Sequence, residues 1–161
     1  MVLVVCLGNI CRSPTAEAAI REAADAAEVD LEVRSAGTGT WHLGEPPDAR
    51  MRAAAAEVGL ELSGTAERVG SDALDDADLV LAMDAANLSD LRRLADRVGS
   101  STPIRLFREF DPDADGDGDL EVPDPYYGGP DGFDEVVEMC RRTAAAVVEH
   151  LTRDDGGAPG R

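Results

Sequence analysis

Lysine is absent from this chain of 161 residues: all 15 basic residues are arginine, set against 33 Asp and Glu, for a formal charge of −18 and a pI near 4.2. Charge of that sign repels nucleic acid phosphates over most of the surface, which argues against DNA or RNA as partner. Cysteine is scarce, and Cys6, Cys11 and Cys140 make no disulfide framework of the secreted kind. No apolar run approaches the roughly 20 residues of a membrane span, and no basic stretch with a cleavage site opens the chain. These absences point to a soluble, cytoplasmic protein. Only two histidines are present, His42 and His150. Without metal-ligand spacing they read as surface residues, and no metal is expected. No internal repeat is found.

What is abundant is acid. Asp outnumbers Glu, lysine is missing and alanine fills the helical stretches, a balance like that of proteins from salt-accumulating halophiles. The acidity reads as a solvated surface suited to high salt, with self-repulsion in dilute buffer. At 16.9 kDa the chain is long enough for one domain that buries roughly two thirds of its unfolded surface. That domain is expected over 1–153, with a short tail at 154–161.

The chain is organised around Val5-Cys6-Leu7-Gly8-Asn9-Ile10-Cys11-Arg12-Ser13-Pro14. Met1 to Val5 is an apolar, β-branched run that predicts a buried strand, and Pro14 opens a helix expected to reach Ala27. The loop between them sits at a helix N-terminus. Unpaired N–H groups and the helix dipole there favour an anion such as phosphate. The same field favours the thiolate form of a cysteine, making Cys6 a nucleophile that needs no general base. Arg12 can offer two phosphoryl oxygens a planar fork of donors, and Ser13 can donate to the sulfur. Gly8 lets the backbone turn inward, and Asn9 tolerates the left-handed conformation of such a nest.

Further along, strands are expected at 31–35, 78–83 and 104–107, and helices at 49–58 (capped by Asp48), 87–98 and 133–152, the last with a clear apolar face that includes Cys140. Strands alternating with helices predict an α/β fold: a single-domain open parallel sheet of about four strands covered on both faces. Ligands in such folds sit beyond the C-terminal strand ends, where Cys6 lies.

Cys6, five residues, Arg12 and Ser13 resemble the signature loop of protein tyrosine phosphatases. The chain is most similar to the low-molecular-weight family, which places the loop within the first dozen or so residues, reads Cys-x-Gly-Asn-x-Cys-Arg-Ser-Pro, and carries a late Asp-Pro-Tyr, here Asp124-Pro125-Tyr126. The likeness covers nearly the whole chain. It implies hydrolysis of phosphotyrosine proteins or aryl phosphates through a cysteinyl-phosphate, with no cofactor. Cys6, Arg12, Ser13 and Asp124 would be catalytic. Leu7, Gly8, Asn9, Ile10 and Cys11 would cradle the phosphate, and Trp41 and Tyr126, with Tyr127 beside them, would wall a slot for the aromatic ring. Ile10 favours an aryl phosphate, since relatives that prefer phosphoarginine carry Thr there.

Breaking a phosphate monoester requires a proton for the departing oxygen. Asp124 is the candidate, directed by Pro125, which pushes the residue before it toward extended geometry. Asp84 and Asn87 match a family motif too, Asp84 orienting the loop or capping a helix. Cys11 is either a small buried residue or a partner that closes a disulfide with Cys6. The chain departs from the family where relatives often carry Ser-His before Ala-Arg. Here Ser63-Gly64-Thr65-Ala66-Glu67 stands, so a histidine brace to Ser35 or Asn9 is missing. Asp111 to Asp119 looks like the first half of a calcium loop, but Val122 replaces the bidentate Glu, and the stretch reads as an acidic insert. Two other functions remain open. An arsenate reductase on this fold needs a further cysteine pair, and residues 70–100 contain none. A phosphoryl carrier or phosphate-binding module needs no acid, which Asp124 speaks against. Oligomeric state is expected to be monomer or weak dimer.

Overall fold

The first strand is apolar at every position because both of its sides are covered. In the computed structural model, which describes residues 1–114 and 118–156 (side chains through Arg153), β1 (Val2–Cys6) is no more than 2% exposed at any residue. It lies inside a four-stranded parallel sheet of order β2-β1-β3-β4, with β2 at Val33–Gly37, β3 at Leu79–Ala82 and β4 at Ile104–Leu106. Register runs Val2 to Val33 on one side and Val2 to Leu79 on the other, so Cys6 ends level with Gly37. Strand 2 therefore sits two residues later than its alternating pattern suggested, because pairing with β1 sets its position.

Alternate residues of β1 feed two separate cores. Val2, Val4 and Cys6 pack with Leu81 and Met83 under α1 (Arg12–Ala26), α2 (Ala49–Ala56) and α5 (Asp131–Gly156). Leu3 and Val5 pack with Val80 and Ala82 under α3 (Ser71–Asp76) and α4 (Ala85–Val98). Each fully buried valine or leucine contributes about 1.5–3 kcal/mol. The apolar face of α5 is the one its periodicity predicts, with Val136, Cys140, Ala144 and Val147 fully buried. Desolvation there pushes the Cys140 thiol far up, as suits a core residue. Thr152 is helical, α5 continuing to Gly156 into the stretch read as tail.

Other boundaries shift for local reasons. The first helix starts at Arg12, so Pro14 lies in its first turn, where a missing N–H removes no helical bond. Asp48 caps α2 as expected, accepting from the amides of Arg50 and Met51, but the helix stops at Ala56 before Gly59 at φ +82°. Unforeseen were α3, too short for periodicity to reveal, and a single 3₁₀ turn at Phe107–Phe110.

The strand order places a topological switch between β1 and β3. From β1 the chain crosses to β2 on one side and later to β3 on the other, so the loops after β1 and β3 part and leave a crevice at their C-terminal ends. Cys6 and Asp84 stand on its two banks.

Candidate active site

The loop after β1 is wrapped around the Cys6 sulfur. Asn9 takes a left-handed φ of +57°, which turns its N–H back to donate to Cys6 Sγ at 3.2 Å. Ser13, in the first turn of α1, brings Oγ to 3.0 Å from the same sulfur. The Asn9 side chain bears on the direction of that contact. Its Oδ1 accepts the Glu67 amide at 3.0 Å, so Nδ2 must be the donor to Ser13 Oγ at 2.8 Å and Ser35 Oγ at 3.0 Å. With its oxygen accepting from Asn9, Ser13 has one proton to give, and of its two acceptors the Cys6 sulfur at 3.0 Å is nearer than the Ala36 carbonyl oxygen at 3.5 Å. Ser35 in turn donates to Glu17 at 2.7 Å. The histidine brace is absent, as expected, and the Glu67 backbone, Ser35 and Glu17 brace the loop in its place.

Among the described residues, the amides of Gly8, Ile10 and Cys11 make no hydrogen bond, which leaves three donors at a helix N-terminus for an anion. Gly8 has a steric reason as well. A Cβ there would stand 3.0 Å from the His42 ring. The far end of the loop is tied down by the Asp48 amide, which donates to Ile10 O at 2.8 Å.

Arg12 is 3% exposed and held from two directions. Nη1 donates to Asp84 Oδ2 at 2.6 Å and to Val122 O at 3.1 Å, while Nη2 lies 3.7 Å from Asp124 Oδ2. Burial opposes the cation, but Cys6, Asp84 and Asp124 outweigh it and hold the Arg12 pKa above its usual range. Asp84 does both things read from its motif, capping α4 through the Asn87 amide at 2.8 Å and orienting the arginine. Asp124 is half exposed, one oxygen accepting the Tyr126 amide at 3.1 Å and the other turned to Arg12.

Around these groups is a hollow of about 370 Å³, with Cys6 and Arg12 at its base and Trp41, His42, Tyr126 and Tyr127 on its walls. Leu7, Gly8, Ile10, Cys11 and Asp124 complete the lining. Trp41 is 75% and Tyr127 93% exposed, so these rings are available to a ligand rather than spent on packing. Of the residues read as phosphate-binding, Asn9 alone does not line the hollow. Its side chain lies behind the loop as a brace, because a left-handed residue there aims its amide group at Ser13 and Ser35. Ser13 also stands behind the sulfur rather than in the hollow.

Both histidines are partly exposed, and each rests on an aromatic ring. His150 packs on Phe110, while His42 lines the hollow, tilted against Tyr126 and bonded to Glu45 at 2.5 Å. Adjacency to Trp41 was the one signal that could have found His42. Arg50 was missed too. It stacks over Tyr126 at 5.2 Å and Phe133 at 4.8 Å, joining α2 to the acid loop across more than 70 residues of sequence. Burial, then Asp48, Cys6 and Asp124, push the Cys11 thiol up to about 12 against the opposing Arg50, so Cys11 is protonated at neutral pH.

The acid loop hangs from a buried ion cluster. Asp111 accepts from Arg108 Nε at 2.8 Å and from Arg142 at 2.9 and 3.0 Å. Arg108 then donates to Glu121 O at 2.8 Å, and the next residue, Val122, donates to Met83 O at 2.8 Å and accepts from Arg12. Of the calcium-like stretch, Asp115, Gly116 and Asp117 lie outside the described residues, while Asp111 is engaged by two arginines. Removing Asp111 would leave buried Arg108 unpaired, so Asp111→Ala should cost about 3–5 kcal/mol, read as a lower urea midpoint. Burial opposes the Asp111 carboxylate, but Arg142 and Arg108 win and hold its pKa down to about 2, against an ordinary 3.8. A depressed carboxylate stabilises the fold above its unfolded pKa and stops doing so as pH falls through the folded one. Wild type should therefore lose this stability between about pH 4 and pH 2, a component that an Asp111→Asn titration should lack.

The sequence profile described as low molecular weight phosphotyrosine protein phosphatase matches residues 1–156. The chain belongs to that family. A low molecular weight protein-tyrosine-phosphatase of Streptomyces coelicolor is 45% identical over 146 residues, 89% of this chain and 88% of the relative. A low molecular weight phosphotyrosine protein phosphatase of Gallus gallus is 38% identical over 92% of this chain and 93% of its own. Among solved structures, a protein tyrosine phosphatase of Entamoeba histolytica superposes with a TM-score of 0.86 at 31% identity, covering 98% of both chains. A drosophila arginine phosphatase gives 0.86 at 29% identity over 96% of this chain and 99% of that one. The four-stranded parallel sheet with its helices is the fold of these phosphatase neighbours.

Proposed function

We propose that the protein hydrolyses phosphotyrosine or aryl phosphate monoesters through a cysteinyl-phosphate. The observation that supports this most is the Cys6 sulfur held between the Ser13 hydroxyl and the Asn9 amide, at the base of an aromatic-walled hollow whose loop amides are unpaired. Cys6 attacks phosphorus in line as the bond to the phenolic oxygen breaks, while Arg12 and the loop amides hold the equatorial oxygens. Asp124 gives its proton to the departing oxygen. The ionised carboxylate then takes a proton from the water that attacks the thiophosphate, releasing phosphate and restoring Cys6. Leu7, Ile10, Trp41, Tyr126 and Tyr127 bind the aromatic group. A phosphoarginine substrate is disfavoured by Ile10, and an arsenate reductase by the lack of cysteine between 70 and 100.

Asp124→Asn tests the acid. Turnover of an unactivated phenyl phosphate should fall by about 10²–10³-fold, and that of an activated nitrophenyl ester by far less, since a good leaving group needs no proton. Equal losses for the two esters would refute the assignment.

Among the described residues, no helix is long and apolar enough to cross a membrane. The Cys6 nucleophile, with the Cys11 thiol close by in the same loop, suits a reducing cytoplasm, and the charge of −18 suits a salt-rich one. Between about 0.1 M and about 3 M KCl the melting temperature should climb by roughly 10 °C or more as self-repulsion is screened. A flat or falling profile in calorimetry would remove the halophilic reading.

A further inference from the structure

A second hollow, of about 560 Å³, lies between α4 and the segment that follows β2. Arg93 and Arg97, one helical turn apart on α4, line it on one side. Arg68 lines it on the other, from a stretch bridged to Gly37. Carboxylates outnumber basic residues 33 to 15 in this chain, and exposed arginines elsewhere, such as Arg34, Arg50 and Arg141, have each taken one. Arg68 and Arg97 are exposed and form no ion pair with the described residues. Arg93 reaches only Asp90, at 3.6 Å, and Ser89, at 3.4 Å. Three guanidinium groups against one carboxylate make a locally positive groove on a strongly negative protein.

This groove is linked to the catalytic hollow by one short segment of chain. The Thr38 amide donates to Cys6 O at 3.0 Å and the Gly39 amide to Leu7 O at 2.9 Å. Thr38 lines the groove and Trp41, three residues further along the chain, lines the hollow, so the segment 38–41 runs from one to the other. We propose that the groove is an anion subsite that takes an acidic side chain carried on the same polypeptide as the phosphotyrosine, an inference that rests on the phosphatase reading above. Forked guanidinium donors match a carboxylate or phosphate. A protein of charge −18 otherwise repels an acidic segment, and a positive patch near the catalytic crevice offsets that repulsion where the substrate must lie. The open groove suits a side chain on an extended chain passing over that segment.

The test compares two phosphotyrosine peptides that differ only in having glutamate or glutamine around the phosphotyrosine, together with nitrophenyl phosphate. In about 0.1 M salt, wild type should favour the acidic peptide by about three- to tenfold in kcat/KM, the worth of two exposed charge pairs. The Arg68→Gln/Arg97→Gln variant should lose that preference and keep nitrophenyl phosphate turnover within about twofold. Arg92→Gln, which removes one exposed charge from α4 outside the groove, should keep the preference. A preference that survives in the double variant, or is absent from wild type, overturns the proposal. So does a loss shared by nitrophenyl phosphate. A wild type that ignores the flanks but whose turnover responds to free sulfate, a response lost in the double variant, would assign the groove to a small free anion instead. Affinities of the same peptides for Cys6→Ser read the preference without turnover, so failure of the phosphatase reading and failure of the groove are told apart.

Discussion

Cys6→Ser is expected to abolish turnover, with kcat on nitrophenyl phosphate down by at least about 10⁴-fold, while phosphate still binds. The substitution keeps size and shape, and it keeps the Ser13 and Asn9 donors aimed at the same place. What it removes is the sulfur nucleophile itself; a serine hydroxyl is a far weaker one and has no base beside it to take its proton. No other group can stand in. Cys11 is held protonated with its pKa near 12, and Cys140 is sealed in the core beneath α5. Rapid acid quench should trap a phosphoenzyme with wild type and none with the variant. Residual activity within tenfold of wild type would place the nucleophile elsewhere. Tight phosphate binding without turnover by wild type itself would favour a carrier or sensor.

Arg12→Lys should be nearly as damaging, lowering kcat/KM by about 10³–10⁴-fold with losses in both binding and rate. Charge is preserved, so the loss would report geometry. The planar fork lets Nη1 engage Asp84 and the Val122 carbonyl while Nη2 faces Asp124 and the hollow. An ammonium cannot keep those directions at once. Because Val122 is two residues before Asp124, releasing its carbonyl also loosens the acid. The Lys variant should therefore show a weaker dependence on leaving group than wild type. A variant that loses affinity alone and keeps kcat would mean that Arg12 binds ground state and transition state equally.

The nucleophile loop could be read from sequence because every part of it is local. Strand, tight loop and helix start follow one another within 14 residues, so the positions of Cys6, Arg12 and Ser13 relative to the helix N-terminus are set by backbone geometry alone. The left-handed Asn9 was legible for the same reason. The periodicity of the last helix was long enough to reveal its buried face, whereas α3, with six residues, was too short to leave a pattern. The role of Asp124 rested on likeness to a family, since an Asp-Pro pair by itself is an ordinary turn.

The contacts between distant segments that no family motif covers escaped the sequence. The Glu67 amide that orients Asn9, the Arg50 guanidinium over Tyr126, the His42 ring above Gly8 and the Asp111 cluster behind the acid loop each pair residues from separate elements. Such pairings carry no period or spacing. They exist because the strand order opens one crevice between β1 and β3, and whatever loops reach it must satisfy one another there. The sequence by itself determined the parallel α/β class, the buried strand, the thiol at a helix N-terminus and the acidic surface, all consequences of local propensity and composition. Only the tertiary structure decided which side chains brace, wall and aim the site, because those contacts form where chain segments far apart in sequence are packed together.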